Sequence, residues 1–542
     1  MPPSPAAFTV SPLTREFVVG CLLLAAVVAA RSFSLAYPLE LSADESELLV
    51  QIGRYERDLM PWRSVDGSTI GPLNPWFLML VKQTGWPMSY SGIHCLAALL
   101  QALIVLVGYA TVRLFLPFGS ACFVAFVSAF AVGCSASINF MYFATELIPA
   151  FCLAMAVFTV AWARQGRPRA LGALAAGAFS AGLAPWAKLQ AAPLSLLLMV
   201  FAAWVAWRVP ADDKSSRQPL LAAGLVALAG ALPSLAMLAL VGTGGALVEF
   251  WASYIVANLG YAGEFTLAGA GTRLLDLLHL SQLNGLIACV AALAAFRLVC
   301  RLGQATGTTR PRLEVFAALY LALAIFCCIR PPHGFGHYHL LLIGPLFLAL
   351  GTLVHGLSPL SRARQLGAAL CVLLPVGVLS VAHYRDGTWL REHLAAKERD
   401  AAYSFEAAVS AGILRAAPQA SSMVVWGWMP SLYVRTGLAC ATRHTVSHFL
   451  IDAGPSRDLL RSQFLHDVLS NRPDVIVDAV ASDAYTWYWP IGSSGIESFP
   501  EFAAYVKAHY TLALSAQADQ AGVPLRVFVR KSPASPFAPP PS

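Results

Sequence analysis

About eleven stretches of this chain approach the length and apolarity needed to cross a bilayer. That repetition constrains the fold more than any single motif. The stretches lie near residues 14–36, 92–116, 118–138, 144–164, 169–183, 188–208, 219–241, 281–300, 313–329, 338–356 and 365–383. A transmembrane helix takes about 20 mainly apolar residues, and only the fifth and ninth stretches are short by that measure. Composition agrees, with 57% hydrophobic residues and 12% charged, whereas an ordinary soluble protein carries about a quarter charged. Such a chain cannot cover a globular surface with polar groups, so most of it faces lipid. The net charge of +7 is scattered through short hydrophilic gaps, which is a topology signal and not a nucleic-acid-binding pattern.

The gaps set an orientation. With the N-terminus inside, the cytoplasmic gaps hold Arg164, Arg167 and Arg169, then Arg208, Lys214 and Arg217. Next come Arg297, Arg301, Arg310 and Arg312, then Arg362 and Arg364. The short outer gaps carry Lys188 and Arg330. This is the positive-inside bias, and an odd number of spans leaves everything after residue 383 outside. The first span follows only Arg15 with Glu16 beside it, and the Ala-Ala-Arg-Ser after it is a poor cleavage site, so an uncleaved signal anchor is expected. These features describe a multi-pass membrane protein with its N-terminus in the cytoplasm. Of the eleven cysteines only Cys440 lies outside the apolar half, Cys327 and Cys328 are adjacent, and no CxxC pair occurs. Neither a metal site nor a disulfide framework is implied.

The expected organisation is a transmembrane domain over 1–383, with a first outer loop at 37–91. A small α/β domain over 384–531 and a disordered Pro-rich tail over 532–542 follow. In the first loop, Ser42 followed by Glu45 has capping-box spacing and starts a helix whose Ile52, Tyr55 and Leu59 line its membrane side. Gly71-Pro72 breaks the chain before a second short helix, Leu73 to Val81, with Trp76 at the interface. The loop from Gly242 to Leu280 holds an amphipathic piece, Leu247 to Leu259. After residue 383 a charged helix is expected over Trp389 to Arg415. Buried strands follow at Ser422 to Trp426 and Asp474 to Val480, with a helix from Arg457 to Asn471 between them. A helix at Phe499 to His509 and strands at Leu512 to Ala516 and Leu525 to Val529 complete an α/β alternation.

Several ionisable residues fall on the outer face. Asp44 and Glu45 follow the first span, Glu146 begins the fourth and Lys188 begins the sixth. Arg330, His333, His337 and His339 fill the gap before the tenth. Ionisable groups at membrane depth are costly and mark function. Together they suit transfer from a lipid-phosphate donor. A carboxylate serves as general base on an acceptor hydroxyl, cations hold the departing phosphate, and histidines donate hydrogen bonds to it. Each residue also has a plain reading. Glu45 caps a helix, and Asp44 and Glu146 favour helix N-termini. Lys188 snorkels to the headgroups, and Arg330 anchors at the interface. Trp76, Trp86, Trp186 and Trp389 read as aromatic-belt anchors, and Asp66 and Asn74 as turn and cap residues.

The acidic pair after the first span, Gly71-Pro72-Leu73, the Glu146 helix start, Lys188-Leu-Gln190 and His337-Tyr338 before Pro345 together resemble the GT-C glycosyltransferases. The nearest branch contains the protein O-mannosyltransferases and the lipid A aminoarabinose transferase (glycosyltransferase family 39-like). Val424-Val-Trp-Gly-Trp-Met-Pro430, with Tyr433 and Thr436-Gly437, also looks like the outer domain of bacterial members. The resemblance implies a polyprenyl-phosphate-sugar donor and inverting transfer of one sugar to a glycan, lipid or protein acceptor. It carries the family's base onto Asp44 and its neighbouring acceptor or metal contact onto Glu45. Lys188, Arg330 and His337 would hold the donor phosphate, with Glu146, His333 and His339 as acceptor or metal contacts. A divalent cation, Mg²⁺ or Mn²⁺, would take oxygen ligands of this kind, although no spacing demands one. Two other readings stand beside this one. The first is an envelope glycan ligase or polymerase using a diphosphate-linked donor through Arg330 and His337. The second is a lipid or solute transporter, which the lack of an internal repeat disfavours.

Overall fold

The computed structural model describes residues 11–135, 137–166, 169–208, 219–263, 266–280, 283–302, 311–332, 334–357, 361–400, 404–452, 454–480, 494–516 and 525–531. His333, the basic residues Arg167, Lys214, Arg217 and Arg310, and the Pro-rich tail lie outside them. The chain forms two compact units, one from 1–37, 91–234 and 264–393 and the other from 38–90, 235–263 and 394–542.

Among the described residues, six helices are long and apolar enough to cross a membrane: Leu13–Ala30, Tyr90–Arg113, Ala170–Ala187, Leu189–Arg208, Pro219–Thr243 and Gly336–His355. Shorter apolar helices occupy Phe118–Gly133, Leu147–Ala163, Asn284–Val299 and Leu313–Ile329. The last apolar stretch lies inside the 38-residue helix Arg362–Arg399. The protein is therefore a multi-pass helical membrane protein, and every expected span is helical. Within the helical unit, small residues let backbones approach, as membrane helices require in the absence of a hydrophobic drive between them. A Cβ on Gly182 would sit 2.1 Å from the Gly230 carbonyl oxygen. Just after the first span, Arg31 is fully buried. It donates to the carbonyls of Val132 at 2.6 Å and Ser135 at 2.8 Å and to Gln101 at 3.3 Å. A guanidinium thus closes the C-terminal end of helix Phe118–Gly133, where carbonyls lack intrahelical partners. Trp186 is a buried residue whose indole donates to Ser234, and not a belt anchor.

The second unit carries a five-stranded sheet. Its strands are β1 (Ser422–Trp426), β2 (Ala439–Cys440), β3 (Val475–Asp478), β4 (Tyr510–Ala516) and β5 (Leu525–Arg530), in the order β2-β1-β3-β5-β4. β1 runs parallel to β2 and β3, and β5 is antiparallel to β3 and β4. β1 and β3 are buried on both faces, which explains their continuous Val/Ile runs. Val424, Trp426 and Ile476 meet Phe464 and Phe502 on one face. Met423, Val425 and Val477 meet Ile413 and Leu432 on the other. This is the two-residue alternation of a sheet. The two-residue β2 carries no pattern of its own and was not foreseen. The charged stretch 389–415 is two helices, because Ser404 caps a fresh start by accepting from the Ala407 amide.

The same unit includes the first-loop helices Ala43–Tyr55 and Leu73–Gln83 and a helical run over 247–261. That run is wound as a π-helix over Trp251–Ala257. Asp66 ties these pieces together. Its Oδ1 accepts from the Ser68 amide at 2.9 Å, the expected turn contact, and from the Ser253 hydroxyl at 2.6 Å. Its own amide donates to the Arg443 carbonyl at 2.9 Å. Arg443 in turn grips Asp467 through both carboxylate oxygens, at 2.8 and 2.9 Å. Burial raises the cost of charging Asp467, but the Arg443 bonds outweigh it and hold the carboxyl below its usual range.

Candidate functional site

In the helical unit, three interruptions of helix deliver one buried polar cluster. The first is the stretch before Leu147–Ala163, where Glu146 is the N-cap residue. The second is Lys188, which ends helix Ala170–Ala187 in an extended conformation (φ −151°, ψ 119°) after the helix-breaking Pro185. The third is the 3₁₀ turn Gly336–Leu342 ahead of helix Ile343–His355. Gly336 is needed there, since a Cβ would stand 2.6 Å from the Asn139 amide nitrogen.

Lys188 Nζ lies 3.5 Å from Glu146 Oε1 and donates to Thr145 Oγ1 at 3.1 Å. The Thr145 hydroxyl donates to Glu146 Oε2 at 3.2 Å. His337 Nε2 is 4.0 Å from Glu146 Oε1, and its Nδ1 shares a 2.8 Å hydrogen bond with the Tyr142 hydroxyl. Glu146 is fully buried, and Lys188 and His337 nearly so. Glu146 Oε1 sits between Lys188 and His337 yet accepts no hydrogen bond among the described residues. Three of the outer-face residues expected from sequence are therefore brought together. Tyr142 and Thr145, which orient them, carry no sequence signal of their own beyond lying close to Glu146 in the chain. Arg330 is half-buried at the end of helix Pro311–Ile329, and His339 is buried in the same 3₁₀ turn as His337.

In the other unit, the helix Ala43–Tyr55 opens with a capping arrangement. Ser42 accepts from the Asp44 amide at 3.4 Å, and Glu45 Oε2 reaches back to the Leu41 amide at 2.9 Å. Glu45 is fully buried in that role. Asp44, one residue earlier, is only half-buried, and its carboxylate makes no hydrogen bond or ion pair among the described residues. Ser46 shares a 2.6 Å hydrogen bond with the Tyr90 hydroxyl. Glu40 lies just ahead of this turn, with its Oε1 enclosed and accepting no hydrogen bond among the described residues. Burial, with the Glu45 charge adding to it, pushes the Glu40 carboxyl up to about 7 against the pull of a Ser46 hydrogen bond. Nothing in the sequence pattern distinguishes Glu40, since its environment comes from residues up to Arg435. Among the described residues no three His, Cys, Asp or Glu side chains are grouped to hold a metal ion.

No family model matches the sequence, and no curated protein matches it. Solved structures do. ArnT from Cupriavidus metallidurans bound to undecaprenyl phosphate superposes with a TM-score of 0.59 at 12% identity, covering 96% of this chain and 98% of that one. The apo form of the same protein gives 0.57 at 13% identity, with the same coverage. The chain has the GT-C fold. The Archaeoglobus fulgidus oligosaccharyltransferase, tethered to an acceptor peptide, gives 0.47 at 14% identity over 74% of its length.

Proposed function

We propose that the protein is a polyprenyl-phosphate-sugar-dependent glycosyltransferase acting at the extracytoplasmic face of the inner membrane, with its N-terminus in the cytoplasm. The observation that carries this reading is the buried Lys188–Glu146–His337 cluster, built from three helix breaks within a GT-C fold. A buried cation beside a carboxylate and a histidine is costly to maintain, and an anionic ligand gives it a use. ArnT, which shares the fold, has been crystallised with a polyprenyl phosphate, and that supports the same ligand class here.

In the proposed reaction Asp44 takes the proton of an acceptor hydroxyl. The acceptor oxygen bonds to the anomeric carbon from the face opposite the phosphate, the carbon–phosphate-oxygen bond breaks, and configuration inverts. Lys188, with Arg330 and His337, holds the phosphate as it gains charge, and Glu146, 3.5 Å from Lys188, orients it. Asp44 suits the base because its carboxylate is half-exposed, while Glu45 is committed to the Leu41 amide. These steps use side chains alone, and the acceptor is a glycan, lipid or protein hydroxyl.

The test is release of polyprenyl phosphate from radiolabelled polyprenyl-phosphate sugars by the purified protein in detergent, with Asp44→Asn alongside. Release by the wild type and loss in the variant are the expected results. No release from any monophosphate donor by folded protein overturns the reading, and turnover of diphosphate-linked donors alone would replace it with a glycan ligase.

A further inference from the structure

The sheet-bearing unit has an open apolar groove of about 430 Å³ that the proposed chemistry does not use. One wall is Leu247, Val248, Trp251, Ala252 and Val256, and the other is Pro455, Ser456 and Leu459. The lining's single hydroxyl, on Ser456, is turned into the Ala252 carbonyl at 2.7 Å, so it offers the groove no polar handle.

The helical run that forms the first wall is apolar on two sides. Phe250 and Tyr254 pack inward around Trp62, and Ser253 bonds Asp66. Outward, Val248 is 64% exposed, Trp251 60% and Leu247 48%. Across the groove Leu459 is 38% exposed. A contiguous exposed apolar patch of this kind marks a binding surface on a soluble face.

Chain connectivity says what covers it. The run begins directly after helix Pro219–Thr243, whose 25 residues give a length of roughly 37 Å, more than the ~30 Å hydrocarbon core. The end of that helix belongs to the same unit and exposes Leu235, Leu238 and Leu240. A tight turn at Gly244–Gly245, with Gly245 in the left-handed region (φ +68°), redirects the chain into Leu247. The groove is thus tethered a few residues beyond a lipid-facing span, at headgroup level, where exposed Trp side chains are enriched. Near the groove the charges are balanced: Arg63 donates to the Gly244 carbonyl at 3.3 Å and is paired with Asp58 at 2.9 Å, and Arg457, next to Ser456, lies 3.6 Å from Asp458.

We infer that this groove holds an acyl chain of an outer-leaflet phospholipid, fastening the sheet-bearing unit to the bilayer surface. The apolar walls take the chain, and the headgroup stays in water at the groove's open side. The inference does not depend on the glycosyltransferase reading.

The test uses the full-length protein in nanodiscs containing a phosphatidylglycerol with a photoactivatable diazirine at the acyl terminus, followed by peptide mapping. Adducts are expected on residues 247–256 and 455–459. In Trp251→Glu/Leu459→Glu these should fall at least tenfold, while adducts along 219–243 persist and show that the protein remains inserted. The milder Leu459→Gln should give an intermediate loss. Wild-type adducts confined to the spans, groove adducts unchanged in the double variant, or a dimer captured through the groove in place of lipid would each overturn the inference.

Discussion

The two acidic sites treat charge in opposite ways. In the helical unit every charged group of the cluster already faces a partner: Lys188 faces Glu146 and Thr145, and His337 faces Glu146 and Tyr142. At the start of helix Ala43–Tyr55, Glu45 is bound to a backbone amide, yet Asp44 is half-buried and its carboxylate has no partner among the described residues. The difference follows from solvation. A lone charge in a low-dielectric interior costs several kcal/mol, so the buried cluster must be neutralised in advance. A partly hydrated helix start can leave one carboxylate available. A group already paired is suited to hold and orient, and an unpaired one to react.

That contrast can be broken by experiment. The largest effect is expected at Asp44. Asp44→Asn should lower turnover by about 10²–10⁴-fold while leaving thermal stability unchanged, and a parallel loss of stability would mean that the residue is structural. Next, Lys188→Met should destabilise the protein by about 3–5 kcal/mol, because Glu146 is left buried and uncompensated. Lys188→Met/Glu146→Gln should recover most of the melting temperature but none of the transfer. Recovery of activity as well would sink the phosphate-holding role. Glu45→Ala should cost about 1 kcal/mol as a lost helix cap, read from thermal melts, and should lower activity far less than Asp44→Asn.

The smallest expected effect concerns pH. Glu40 has a folded-state value of about 7 against an ordinary 4.5, so the native state binds its proton more tightly than the unfolded chain. Stability from this group is therefore highest below about 4.5 and declines as pH rises towards 7. Glu40→Gln should flatten that slope and raise stability at pH 8 by about 1 kcal/mol, after allowance for partial exposure. Melts in detergent from pH 5 to 8 would show it, and identical curves for the two proteins would count against a shifted Glu40.

Much of the fold is legible in the sequence because lipid imposes a simple rule: a long apolar run is a helix. The Val/Ile runs of β1 and β3 and the periodic helix Arg457–Asn471 are read as easily, since burial fixes both pattern and length. The meeting of Glu146, Lys188 and His337 could be anticipated only as a shared side of the membrane. Their contact depends on three helix breaks packing together, which no local pattern records. Asp66 illustrates the limit. Its Ser68 bond is local and readable, whereas its partners Ser253 and Arg443 come from far along the chain. β2 is too short to have a period. The break at Ser404 is marked by a single capping residue inside a charged pattern that runs through it.

Arg31 bears on how the protein is made. Its guanidinium is buried against carbonyls at Val132 and Ser135 and against Gln101. During synthesis none of those groups has left the ribosome when the first span enters the membrane. The charge must wait at the aqueous boundary, delaying final seating of that span until the next two have arrived. The seating of the first span is thereby coupled to the arrival of the second and third.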